Sequence, residues 1–229
     1  MTFNNKNQND ILDIFDIDYF YENQPVNRAK TKPQVEDKYE NLTDLKMKIS
    51  NIENCNLKSN ASKLVFSDGN PLSQLMIVGE GPGQKEDEIG KPFVGEAGML
   101  LNKMLKAINV KREDVYITNV VNYRPPNNRK PETSEIIRYS EFLREHIRII
   151  NPKLLILMGS TAMESLFGSK IKITKERGTW KEVIIDRKTF ETMITFHPAY
   201  LLRQPEQKKN SWEDLKMIKK RIDELEILI

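Results

Sequence analysis

Leu75-Met76-Ile77-Val78-Gly79-Glu80-Gly81-Pro82-Gly83 is a short apolar run that breaks into closely spaced glycines. Four consecutive apolar residues suit a strand buried on both faces, because neighbouring side chains point to opposite sides of a sheet. The glycines after it let the backbone turn and come close to a ligand. The same pattern returns downstream. Val115-Tyr116-Ile117-Thr118-Asn119-Val120 reads as a second strand and Leu154-Leu155-Ile156-Leu157-Met158-Gly159 as a third. Trp180 to Ile185 and Thr192 to Phe196 read as two more.

Helical periodicity fills the gaps between them. Ala97, Leu100, Leu101, Met104, Leu105 and Ile108 fall on one helix face, as do Ile136, Ile137, Phe142, Leu143, Ile147 and Ile150. Thr133 or Ser134 is the expected cap of that second helix, and Ser160 the expected cap of a short helix through Leu166. Trp212 to Leu228 gives a last amphipathic helix. Strands alternating with helices indicate an α/β fold with a parallel sheet covered on both faces. Ligands bind such sheets at the carboxyl ends of the strands. The loops after Val78, Asn119, Met158 and Phe196 are therefore the places to look, and polar or Gly-rich signals fall on the first, second and fourth.

The 229 residues suffice for one such domain, expected over residues 41–229 after a flexible tail over residues 1–40. The tail mixes Asn, Asp and Lys, but carries Ile11-Leu12-Asp13-Ile14-Phe15 followed by Tyr19, Phe20 and Tyr21. That cluster fits a partner-binding segment or a helix folding back on the domain. The net charge of +3 permits nucleic-acid binding without demanding it. No apolar run is long enough to span a bilayer, and no signal peptide is evident. The single cysteine, Cys55, excludes an internal disulfide and fits the cytoplasm.

The first loop continues through Gln84-Lys85-Glu86-Asp87 to Gly90-Lys91-Pro92-Phe93-Val94-Gly95. Its glycine spacing is that of neither a P-loop nor a dinucleotide fingerprint, and no Gly-Lys-Ser/Thr follows. An unrelated nucleotide-binding α/β protein is thereby disfavoured. Phe93 is either a hydrophobic anchor or a face on which a base stacks. Asn119, at a strand end, is either a turn cap or a donor–acceptor pair matched to a pyrimidine edge. Arg124-Pro125-Pro126-Asn127-Asn128-Arg129 sets two cations on a stiff loop, suited to phosphate or to solvent. His197 sits at a strand-to-helix junction, where a neutral imidazole can donate a hydrogen bond to developing negative charge. His146, inside a helix, reads as a surface or packing residue.

These loops together resemble family 4 uracil-DNA glycosylases. The resemblance rests on Gly79-Glu80-Gly81-Pro82-Gly83, Glu86-Asp87, Gly90 to Gly95 with Ala97-Gly98, Asn119-Val120-Val121, Arg124-Pro125-Pro126 with Asn128-Arg129, and His197-Pro198-Ala199-Tyr200-Leu201-Leu202-Arg203, in family order from about Leu42 onward. It implies a three-layer α/β/α sandwich around a central, mostly parallel four-stranded sheet. It implies an enzyme that flips uracil out of DNA and hydrolyses its bond to the sugar. Phe93 would stack on the base, Asn119 would read its N3–H and O4 edge, and Glu86 would lie near C5. His197 would stabilise charge on O2, and Glu80 with the backbone of Gly81 would position water. Arg124, Arg129, Tyr200, Leu201 and Arg203 would contact DNA, the last three at the minor groove.

The resemblance breaks at one place. The family holds a 4Fe–4S cluster on four cysteines, and the matching positions here are Ile52, Cys55, Tyr123 and Tyr139. One thiolate cannot hold such a cluster, so no cofactor and no metal are expected. Leu12, Ile14 and Phe15, with Gln8 upstream, resemble segments that bind the bacterial sliding clamp. The expected partner is uracil-containing DNA, with the protein a monomer. The competing expectation is a catalytically inactive, DNA-binding or damage-sensing relative. Phe93, Asn119, Glu86 and His197 together favour the enzyme.

Overall fold

The computed structural model describes residues 33–228. Leu12, Ile14 and Phe15, and with them the clamp-like segment, lie outside the described residues. The first helix, α1 (Pro33–Ser50), begins inside the stretch expected to be tail. Its early turn is polar and has no apolar period to betray it, whereas Leu42, Leu45 and Ile49 further along are buried. A short α2 (Asn56–Asn60) and a two-residue β1 (Asp68–Gly69) precede β2 (Leu75–Gly79). Then come α3 (Gln84–Ile89), α4 (Glu96–Ala107), β3 (Tyr116–Asn119), α5 (Thr133–Ile150) and β4 (Leu154–Met158). The chain closes with α6 (Ser160–Phe167), α7 (Ile173–Glu176), β5 (Thr179–Ile185), β6 (Lys188–Thr195), α8 (Pro198–Arg203) and α9 (Lys208–Glu224).

The sheet has six strands in the order β1-β3-β2-β4-β6-β5, where four were expected. The inner four, β3-β2-β4-β6, are parallel, and the added edges β1 and β5 are antiparallel. β5 was legible as the stretch Trp180 to Ile185, but β1 is too short for any period. The antiparallel pairing of β5 with β6 was not legible, because they are joined by Asp186 and Arg187, both at positive φ (48° and 64°), a turn whose sequence lacks the usual Asn-Gly or Asp-Gly signal.

Alternate residues of the inner strands feed two separate apolar clusters. Met76, Val78, Tyr116, Leu155 and Leu157 pack on one face with Leu45 and Ile49 of α1 and Leu143 and Ile147 of α5. Leu75, Ile77, Ile117, Leu154 and Ile156 pack on the other with Leu101 and Leu105 of α4 and Leu215 and Ile218 of α9. This is the physical content of the α/β sandwich: β2, β3 and β4 are buried along their whole length, so every position in them must be apolar or hydrogen-bonded. His146 is a packing residue. It is 2% exposed, lies 4.6 Å from the Phe66 ring and bonds Tyr116 Oη at 2.6 Å through Nε2.

α5 is capped one residue earlier than expected. Glu132 is its N-cap, and the Glu135 carboxylate accepts from the Glu132 N–H at 2.7 Å. α6 is capped by Gly159, whose φ of 95° suits glycine alone. From β2 the chain moves outward to β3, then crosses back over β2 to β4. Connections therefore leave the carboxyl end of β2 in opposite senses, and a crevice opens there.

Candidate functional site

All four parallel strands end at one cavity of about 390 Å³. Its lining includes Glu80, Gly81 and Phe93 after β2, Asn119 ending β3, Gly159 and Ser160 after β4, and His197 after β6. Pro125, Arg129, Ile173, Thr174, Tyr200 and Arg203 also form part of the wall. The loop after β4 carried no signal in the sequence, yet it contributes like the others. Gly159-Ser160 looks like any helix start, and only the sheet order shows where it points.

Asn119 is 3% exposed, and its Oδ1 is buried without a hydrogen-bond partner. An unpaired buried carbonyl costs about 1–3 kcal/mol, so it persists where a ligand completes it. The ring edge of Phe93 and Asn119 Oδ1 converge over Gly79. A Cβ at Gly79 would lie 2.5 Å from each, so no larger residue fits there. The Phe93 ring also lies 5.4 Å from the His197 ring, 27° from parallel.

His197 is the N-cap of α8, with Pro198 in the first turn. Its Nδ1 accepts from the Ala199 N–H at 3.1 Å. A nitrogen that accepts carries no proton, so the neutral ring carries its proton on Nε2. Burial, aided by the nearby Arg203 charge, pushes the imidazole down to about 4. The ring is surrounded by protein yet keeps part of its surface open to the cavity, so it is a neutral donor at physiological pH.

Glu80 and Glu86 behave differently. Glu80 Oε2 accepts from Thr161 Oγ1 at 2.5 Å, which leaves Oε1 free of protein partners in this contact. Thr161, fully buried in α6, was not singled out from the sequence. Glu86 is 8% exposed and lines the cavity, but its carboxylate binds backbone. Oε1 accepts from Val94 N at 2.8 Å and Gly95 N at 2.7 Å, and Oε2 from Gly83 N at 3.1 Å. A carboxylate so engaged holds the two halves of the first loop together; it is not a free group aimed at a base.

Two of the expected DNA contacts are engaged by neighbouring side chains at the surface. Arg129 forks onto Glu135 at 2.8 and 2.7 Å, and that ion pair raises its pKa further. Arg124 Nε donates to Asn128 Oδ1 at 2.8 Å. Leu201 requires a correction. It is 1% exposed and packs in the core with Leu215 and Met193, while Leu202 is 40% exposed. The helix turns about 100° per residue, so the anchoring and outward positions of α8 are adjacent in sequence and pattern alone did not separate them. The Tyr200 ring lies 4.9 Å from that of Phe196, tilted by 46°, and Arg203 is exposed. Lys170, Lys172 and Lys175, also exposed, flank the wall residues Ile173 and Thr174.

Ile52, Cys55, Tyr123 and Tyr139 are all buried in one cluster, against α1 and α5. Tyr139 Oη and Cys55 Sγ share a hydrogen bond at 3.4 Å. Burial raises both phenols' pKa values, and Cys55 raises them further. One thiol, two neutral phenols and an isoleucine are not the donor set of an iron–sulfur cluster. The residues present do not fit that group. Among the described residues no group of three or more His, Cys, Asp or Glu stands where it could hold a metal ion.

Residues 66–219 match the uracil DNA glycosylase superfamily. The chain is 45% identical over 150 residues to the Type-4 uracil-DNA glycosylase of Thermotoga maritima, covering 65% of this chain and 77% of that one. It is 39% identical over 188 residues to the enzyme of the same name from Sulfurisphaera tokodaii, covering 79% and 84%. A third, from Archaeoglobus fulgidus, is 35% identical over 183 residues, covering 78% and 92%.

Proposed function

The chain belongs to the uracil-DNA glycosylase superfamily, and on that premise we propose that it is a base-excision repair hydrolase that removes uracil from DNA and leaves an abasic site. The observation that carries this is the unpartnered, buried Asn119 Oδ1 beside the Phe93 ring, in a cavity that the neutral His197 also lines. Uracil offers N3–H beside the O4 carbonyl. Asn119 Oδ1 accepts the first and its amide nitrogen donates to the second. Cytosine presents a lone pair and an amino group in those places, so both contacts turn repulsive. Phe93 supplies the flat apolar face on which the base rests.

As the bond from C1′ to N1 breaks, its electron pair moves into the base and negative charge gathers on O2. The Nε2–H of His197 donates to that oxygen. The sugar becomes cationic, water adds its oxygen at C1′, and the water's proton is released. Glu80, fixed by Thr161, orients that water through Oε1. Gly81 offers no carboxylate, so leaving-group stabilisation carries most of the rate. Arg203, Leu202 and the lysines around Ile173 face the DNA backbone and groove, with Arg124 and Arg129 stiffening the rim.

The enzyme works without an iron–sulfur cluster, a reading supported by the packed residues at all four matching positions. It acts as a monomer in the cytoplasm, and Leu12, Ile14 and Phe15 dock the sliding clamp; the support for this is sequence resemblance alone. An oligonucleotide with one uracil, treated with alkali after incubation, tests the central claim. Wild type should cut it with no iron in the preparation, and Asn119→Ala and His197→Ala should each lose about 10²- to 10³-fold in rate. A folded wild type that binds but does not cut would instead establish the damage-sensing relative.

A further inference from the structure

Phe93 holds an unusual backbone conformation for its residue type. Its φ is 53°, in the left-handed region that non-glycine residues seldom enter. A bulky side chain persists there only where its surroundings over-determine it, and those surroundings converge on one side chain. Arg112, which follows α4, donates Nη2–H to Pro92 O at 2.7 Å and Nη1–H to Phe93 O at 3.1 Å. The same Nη1 reaches Asn102 Oδ1 on α4 at 3.0 Å, and Nε donates to Asp68 Oδ2 at 2.9 Å. One planar fork thus grips two successive carbonyls of the Phe93 turn while α4 and β1 fix its position. A lysine, with a point charge, has no such geometry.

The neighbours reinforce this arrangement. Asp68 also takes Lys91 at 3.1 Å, so the acid that orients Arg112 ties down the same turn from its other end. Burial pushes the Asp68 carboxyl up, but hydrogen bonds from Lys91 and Arg112 outweigh it and hold the pKa below the ordinary value. Gly98 lets α4 lie directly under the turn, since a Cβ there would sit 1.9 Å from Phe93 O. Arg112 touches none of the cavity.

We propose that Arg112 is a positioning residue for the glycosylase reaction: by clamping the Pro92 and Phe93 carbonyls it holds the Phe93 ring at the height where the extruded base stacks. The inference rests on Phe93 being the base-facing ring of the proposed function. It predicts that Arg112 acts through Phe93 and through nothing else at the site.

A double-mutant cycle reads this directly. Single-turnover cleavage of uracil-containing oligonucleotide at saturating enzyme is measured for wild type, Arg112→Gln, Phe93→Ala and the double variant, with melting temperature on each. Arg112→Gln should slow the saturated rate about 10-fold in the wild-type background and less than 2-fold in the Phe93→Ala background. Arg112→Lys should not rescue it. Asp68→Asn, which keeps the arginine and removes the charge that orients it and holds Lys91 at the other end of the same turn, gives the same pattern at smaller amplitude and serves wherever Arg112→Gln is not folded. Equal losses in both backgrounds, or no loss in the first, overturn the inference while leaving the glycosylase standing. A wild type without activity overturns the inference together with the reading beneath it.

Discussion

At the scale of single residues, His197 has the most distinctive consequence. Its folded pKa is depressed to about 4 and that of His146 to about 3, both by burial. The unfolded chain therefore binds more protons than the folded one wherever pH lies between the ordinary value near 6.5 and these values. The stability this confers is fully present above pH 6.5 and is lost as pH falls. Between pH 6.5 and 5 ordinary carboxylates are still ionised, so urea midpoints taken across that interval should fall through the histidines alone. Activity behaves otherwise. His197 stays neutral throughout, so the saturated cleavage rate should show no acid limb near pH 6.5. The identity of this residue was legible because only two histidines exist and one of them ends a strand. The engagement of Glu86 with three backbone N–H groups was not, because a carboxylate after a glycine loop looks the same whether it faces a ligand or its own chain.

Among the elements, α8 carries the sharpest contrast. Leu201→Ala should destabilise the protein by about 2–5 kcal/mol, as expected for a buried leucine, with little change in intrinsic affinity for DNA. Leu202→Ala should leave stability within about 0.5 kcal/mol and weaken binding to uracil-containing duplex. Denaturant unfolding and fluorescence anisotropy on the two variants separate the roles. The parallel strands were readable because burial on both faces enforces continuous apolar runs such as Leu154 to Met158. α3 was read as loop, since six residues after Gly83 are too few to display a period. β1 and the Asp186-Arg187 turn carry no compositional signal. What the sequence could not supply was which loop ends meet, because that depends on strand order, and strand order is a property of packing. Arg112 illustrates it: nothing local to Lys111-Arg112-Glu113 points to Pro92 and Phe93.

For the molecule as a whole, the cluster containing Cys55, Tyr123 and Tyr139 joins α1 and the start of α2 to α5 on one side of the sheet. Removing that filling should loosen the whole layer. Tyr139→Ala is expected to cost about 3–5 kcal/mol, the range for deleting a buried aromatic ring. Tyr139→Phe, which loses only the bond to Cys55, should cost about 1 kcal/mol. Both are checked by thermal or urea melts. Prolonged treatment of the wild type with an iron chelator should change neither melting temperature nor cleavage rate.

That packed joint also bears on how the protein comes to be made. A chain closed by its own side chains is finished when translation and folding are finished. On the cluster-free reading proposed above, it requires no scaffold to build inorganic sulfur, no carrier to deliver it and no reductant to keep it intact. Expressed in a host stripped of those assembly factors, or grown with scarce iron and abundant oxygen, it should accumulate fully competent, so that removal of deaminated cytosine continues under the conditions that disable metal-dependent repair.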